Sequence, residues 1–146
     1  MSPYLVSESA TIAADAQTLF DIVADPAMHP KIDGSGSVKA VKADGPQRLS
    51  LGATFGMDVK IGAPYKITNT VVEFDEGRLL AWRHFNGHVW RYIFEPVGDG
   101  STKVTEQWDA RPVWNRAVLR LTFGKRNRAG ILCTLERLGK IATRPS

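Results

Sequence analysis

The sequence predicts an α+β fold in which one antiparallel sheet is covered by a long C-terminal helix. Three observations predict it. Period-two alternation of β-branched and aromatic residues fills much of Gly52 to Asp109, broken by short turn clusters. A short helical stripe lies near the N-terminus, after a first strand-like stretch. Beyond Pro112 the pattern is helical for roughly thirty residues. With 146 residues, 43% apolar and 23% charged, the chain reads as one domain, 1–146, able to bury its own core.

Taken in order, Tyr4 to Ile12 reads as a first strand. Asp15 suits an N-cap, its carboxylate accepting from amides of the first turn. Leu19, Phe20 and Val23 give the following helix one apolar stripe, and Asp25-Pro26 ends it. Ala27 to Ile32 is read as a further helical turn despite Pro30, with His29 as a loop residue unless that loop folds over a pocket mouth. Asp33-Gly34-Ser35-Gly36-Ser37 is a turn, Val38 to Val41 a short strand, and Gly45-Pro46 part of a loop.

Five strands are expected next: Ala53 to Ile61, Tyr65 to Phe74, Arg78 to Phe85, His88 to Glu95 and Thr102 to Asp109. Their connections are Gly62-Ala63-Pro64, Asp75-Glu76-Gly77, Asn86-Gly87 and Gly98-Asp99-Gly100-Ser101. Asn86-Gly87 reads as a two-residue type I′ hairpin, and turns this short imply antiparallel neighbours.

In the terminal helix, Pro112 suits the first helical position. Trp114, Val118 and Leu121 form an inward stripe that resumes at Ile131, Leu135 and Leu138. Gly124 to Gly130 lies between the two runs, and mid-helix glycine costs about 1 kcal/mol relative to alanine. A kink or local opening is therefore expected there, as part of a ligand portal.

Alternation assigns faces. Leu80, Trp82 and His84 point one way; His88, Trp90, Tyr92 and Phe94 share a face on the next strand; Thr102, Val104, Glu106 and Trp108 share one on the last. Phe55, Met57 and Val59 form a similar set. These aromatic-rich sets belong on the concave side, where the helix must cover them, either filling the interior or lining an apolar cavity. Glu106 and His84 are the polar residues of that face. A carboxylate in an apolar cavity needs a partner or a raised pKa. His84 could be that partner, the two acting as acid and base; Glu106 could instead pair with Arg83 or Arg91, and His84 could be a wet loop-end residue.

Other chemistries find no support. Three scattered histidines and the lone Cys133 lack metal-ligand spacing, so no metal or cofactor is expected. No phosphate-cradling glycine loop or nucleophile motif appears. The start Met1 to Val6 lacks the features of a signal peptide, and no run approaches a membrane span, so a cytoplasmic protein is expected. Charge is divided unevenly: residues 1–110 carry −4 and residues 111–146 carry +8. That basic segment could be a solvated helix face, or attract nucleic acid, anionic lipid or an acidic partner. Without a nucleic-acid motif, nucleic acid is the least favoured partner.

Two regions carry a family resemblance. Ser7-Glu8-Ser9-Ala10-Thr11-Ile12 with Asp15-Ala16-Gln17-Thr18-Leu19-Phe20-Asp21-Ile22-Val23-Ala24-Asp25-Pro26 resembles the opening of START-like proteins, the SRPBCC or Bet v 1-like superfamily. Trp90 to Pro96 and Gly100 to Trp108 are similar to its penultimate and last strands, and the nearest branch is the bacterial polyketide cyclase/dehydrase-like proteins. The resemblance implies the helix-grip fold, with two short helices and a seven-stranded antiparallel sheet around a long C-terminal helix. It also implies a deep cavity for lipids, polyketides or other hydrophobic molecules, but no motif carries over catalytic residues. A hydrophobic or aromatic ligand is thus expected against Phe55, Met57, Tyr65, Ile67, Trp82, Trp90, Tyr92, Phe94, Trp108, Trp114, Val118 and Leu121. The enzymatic alternative is aldol cyclisation or dehydration of a poly-β-ketone, with His84 and Glu106 exchanging protons.

Overall fold

The computed structural model describes residues 2–34, 38–41, 45–61, 63–84 and 86–143, with backbone alone for 38–41, 57–61 and 63–66. The strands are β1 (Leu5–Ile12), β2 (Val38–Val41), β3 (Thr54–Ile61), β4 (Ala63–Asp75), β5 (Leu79–His84), β6 (Val89–Gly98) and β7 (Ser101–Asp109). They form one seven-stranded antiparallel sheet in the order β1-β7-β6-β5-β4-β3-β2. Two short helices, α1 (Ala16–Val23) and α2 (His29–Ile32), follow β1, and the long helix α3 (Arg116–Ala142) closes the fold.

Local chemistry accounts for the N-terminal part. The Asp15 carboxylate caps α1 by accepting from the Thr18 amide at 2.7 Å. Pro26 opens a 3-10 turn, Pro26–Met28, capped by Asp25, whose carboxylate accepts from Ala27 N at 3.0 Å. Leu19, Phe20 and Val23 are fully buried, and the Phe20 ring meets Phe94 and Phe74 edge-on at 5.5 and 5.7 Å. This end of the core pins α1 onto β6.

Two expected turns differ. Ala63 and Pro64 belong to β4 rather than to a loop. The β5–β6 hairpin closes one residue wider than the Asn86-Gly87 pattern suggests. His84 N–H donates to the His88 carbonyl and Gly87 N–H to the His84 carbonyl, both at 2.9 Å, leaving three residues between the closing pair. Gly87, at φ +107, takes the position only glycine occupies without strain. Ser35 to Ser37, Gly62 and Phe85 lie outside the described residues, as do the side chains of Met57, Val59 and Tyr65.

The terminal helix brings the main corrections. Pro112 lies in a turn, and α3 begins at Arg116, four residues later. The expected inward stripe of Trp114, Val118 and Leu121 faces solvent, at 92%, 59% and 82% exposure. The helix docks instead through Leu119 and Phe123, partly buried against the core, and through the buried Gly130, Ile131, Thr134, Leu135 and Leu138. The reason is phase. An α-helix turns about 100° per residue, so the stripe of Val118 and Leu121 points on average about 100° away from that of Ile131, Leu135 and Leu138. Both could face the sheet only across a kink, and α3 runs without a break from Arg116 to Ala142.

Gly124 therefore sits in a regular turn, where an added Cβ would meet only the Arg120 side chain, at an ordinary 3.6 Å. Gly124→Ala is expected to stabilise the protein by up to about 1 kcal/mol through helix propensity. A lower denaturation midpoint in the variant would show that this turn needs glycine's freedom after all.

Candidate functional site

The inner face of the sheet is organised in rows by strand register. Trp82 pairs with Trp90, Trp90 with Trp108, and Trp108 with Val6, laying three indoles across adjacent strands. The next row toward the core end of these strands reads Leu80, Tyr92, Glu106 and Glu8. The row on the opposite side of the tryptophans holds Asn69, His84 and His88.

Glu106 is 4% exposed, and the Tyr92 hydroxyl directly opposite is its hydrogen-bond partner. Its Oε1 has no hydrogen-bond partner among the described residues. Burial is the main force on this carboxyl and lifts it to about 8; the Tyr92 hydrogen bond opposes the rise and the Asp33 charge adds to it. Tyr92 is pushed well above its ordinary value, first by burial and then by the charge of Glu106. The nearby cation is committed elsewhere, because Arg128 of α3 pairs with Glu8, the cross-strand neighbour of Glu106. At neutral pH Glu106 is therefore mostly a neutral acid in an aromatic wall.

The anticipated pairing of Glu106 with His84 does not form. The tryptophan row separates them, by a distance on the order of 15 Å from strand spacing and rise. Nor does Glu106 pair with Arg91, which binds Glu73 at 2.7 Å and Asp109 at 3.2 Å. His84 instead stacks on His88, with ring centroids 4.4 Å apart, and its Nδ1 accepts from the Asn86 amide at 3.3 Å. Burial lowers both imidazoles, His88 to about 3 with the neighbouring His84 adding to the effect, so both are neutral at pH 7.

His29 is the residue that sequence reasoning missed. It is 4% exposed, stacks on Trp82 at 5.0 Å and meets Phe55 edge-on at 5.5 Å. Its Nε2 bonds the Val23 carbonyl at 2.8 Å; a carbonyl only accepts, so Nε2 carries the proton and Nδ1 is left bare. Burial lowers its pKa, which keeps the ring neutral. A faint signal existed: His29 precedes the buried Ile32 by three residues, one helical turn away on the same face.

The ring contacts continue from Trp82 to Tyr92 at 5.6 Å and from Tyr92 to Phe94 at 6.4 Å. His29, Phe55, Trp82, Tyr92, Phe94 and Glu106 thus form one connected group, with Ile67 and Trp90 partly buried against the core. Trp114, Val118 and Leu121 do not join it. Besides Glu106 Oε1 and His29 Nδ1, the buried atoms Asn69 Oδ1, His88 Nδ1 and Trp108 Nε1 lack protein partners among the described residues. Unmet buried polar groups are costly, so a ligand or water able to reach them would be held firmly. Among the described residues no cluster of His, Cys, Asp or Glu could hold a metal ion.

Comparison with known proteins gives this geometry a family. The family described as "Polyketide cyclase / dehydrase and lipid transport" matches residues 4–142. The chain belongs to that family. A similar protein is uncharacterized protein Rv0088 of Mycobacterium tuberculosis, 40% identical over 143 residues. That match covers 93% of this chain but 63% of the relative, so the chain spans under two thirds of the relative's length. Protein Ms6760 from Mycobacterium smegmatis shares the fold at a TM-score of 0.74 and 18% identity, covering 97% of this chain and 92% of its own. A START superfamily protein from the same organism gives 0.69 and 21%, covering 94% and 98%. Family and fold are consistent with a domain that binds a hydrophobic ligand.

Proposed function

We propose that this family member binds a small hydrophobic or aromatic molecule on the inner face of the sheet, with Glu106 as its polar anchor. The observation that carries the reading is the buried, mostly neutral Glu106, whose Oε1 has no partner among the described residues and whose neighbour Tyr92 continues through Trp82 to the rings of Phe55 and His29. Apolar ligand area buried against these rings would supply affinity. A neutral carboxylic acid would donate to a carbonyl or hydroxyl oxygen of the ligand, fixing its orientation.

This reading carries its own pH dependence. Donation requires the protonated acid, so affinity for such a ligand is expected to fall as pH rises through about 8. Native mass spectrometry of the purified protein, with organic extraction of anything retained, is the first test. A discrete hydrophobic molecule bearing an oxygen acceptor supports the reading. A clean apo mass, together with failure to bind a panel of apolar fluorophores, would sink it.

A second reading rests on the same carboxyl. A group titrating near neutrality is suited to general acid work, and Glu106 could protonate a ligand oxygen during cyclisation or dehydration of a polyketone. Glu106→Gln separates the readings. Turnover that vanishes while ligand affinity persists favours catalysis, whereas parallel loss of both favours binding alone.

A further inference from the structure

The first half of α3 packs Leu119 and Phe123 against the core and carries a second apolar line that faces outward. Val118, Leu121 and Leu132 follow one line along its outer side, with Lys125 between them. Trp114, in the turn just before the helix, extends that line and is almost wholly exposed. Residues 111–128 contain six basic side chains and no acidic one. Arg111 is engaged with Asp109 and Arg128 with Glu8, while Arg116 lies over the Tyr4 ring at 4.9 Å. Arg120, Lys125 and Arg126 have no ion-pair partner among the described residues.

We infer that this face docks on the surface of an anionic lipid bilayer. Exposed tryptophan and leucine interleaved with unpaired cations match an interface whose apolar interior begins just beneath a layer of negative headgroups. Trp114, Val118 and Leu121 enter the acyl boundary, while the long stems of Arg120, Lys125 and Arg126 let their heads reach the phosphates. A second copy presenting the same face would set the unpaired Arg120, Lys125 and Arg126 against their own counterparts, which argues against a symmetric dimer here. Among the described residues no helix is long and apolar enough to cross a membrane, so the contact is peripheral. The inference is independent of the ligand assigned to Glu106.

The test uses the full chain and two triple variants, Trp114→Ala/Val118→Ser/Leu121→Ser and Arg120→Glu/Lys125→Glu/Arg126→Glu. Co-sedimentation is measured with vesicles of phosphatidylcholine alone and with about one third phosphatidylglycerol, at about 0.15 M salt. The wild type is expected to bind the anionic vesicles only, and each variant to bind at least about tenfold more weakly. All six positions are exposed or half-buried, so circular dichroism should be unchanged. Three outcomes overturn the proposal: no binding by the wild type; full binding by the apolar variant, which would reduce the effect to adsorption of charge; or a dimer in solution that the apolar variant abolishes, which would assign the face to a protein contact.

Discussion

Between pH 6.5 and 8 the stability of the wild type is expected to fall by about 1.6 kcal/mol relative to Glu106→Gln, which lacks the titrating carboxyl. The folded state holds the Glu106 proton up to about 8, whereas an unfolded glutamate releases it near 4.5. A folded pKa raised above the unfolded value means stability is fully present below 4.5 and is lost as pH rises toward 8. The slope approaches about 1.4 kcal/mol per pH unit where the unfolded chain has lost the proton and the folded chain keeps it. The buried histidines work in the opposite sense. His29, His84 and His88 are lowered, so their contribution is present above 6.5 and is lost as pH falls below it. Above pH 6.5 the unfolded histidines are still losing their last protons, which opposes the Glu106 loss, so the difference between wild type and Glu106→Gln at each pH is what isolates Glu106. Glutamine keeps the shape and can still bond Tyr92 without ever ionising. Urea denaturation of both proteins at several pH values checks this: a difference between wild type and Glu106→Gln that stays constant across the window would mean that Glu106 is ionised and paired in the fold.

Gly34→Ala is expected to be the most damaging single-methyl addition described here, costing about 1–3 kcal/mol or more. Gly34 follows α2 and touches α3, its N–H donating to Thr134 Oγ1 at 2.7 Å. Asp33 beside it is held by Arg137, whose Nη1 donates to the Asp33 carbonyl at 2.6 Å. A Cβ on Gly34 would overlap the Thr134 amide, the Gly130 carbonyl and Cys133 Cβ, and two of these three are helix backbone that cannot swing aside. The loop would have to lift from α3, carrying with it the Asp33 charge that helps to raise Glu106. The variant should therefore lose stability and also shift the Glu106 titration downward. Native-like stability in Gly34→Ala would show that the loop and helix are not in this contact in solution. Gly124→Ala is the matched control, since the same methyl there meets one flexible side chain.

These two glycines show where local reading stops. In sequence both sit in polar, glycine-bearing stretches, Asp33 to Ser37 and Gly124 to Gly130, and nothing local distinguishes them. One is small because another element lies against it; the other sits in an ordinary helical turn. His29 was hidden for the same reason. Flanked by methionine and proline it reads as loop, and only the fold of α2 over β5 places its ring on Trp82.

The site was legible in proportion to how local its causes are. Alternation along β5, β6 and β7 put Trp82, Tyr92, Glu106 and Trp108 on one face, because side chains in a strand alternate whatever the strand pairs with. The partner of Glu106 depends on register between strands, and register set Tyr92 rather than His84 opposite it. The outward turn of Trp114, Val118 and Leu121 followed from phase. Two periodic stripes on one helix can both face inward only if the helix bends, and the stripe that found a surface to bury against decided the orientation.

What the sequence determined by itself was the family, the order of strands and helices, the capping of α1 by Asp15, the inner face of the sheet and the basic character of α3. Those follow from pattern, propensity and charge, which act over a few residues at a time. Tertiary structure alone decided that Glu106 is held neutral by burial beside Tyr92, that Gly34 must be glycine, and that the apolar line of α3 is left to solvent. Each of these depends on which surfaces meet, and burial belongs to the assembled fold rather than to any stretch of chain.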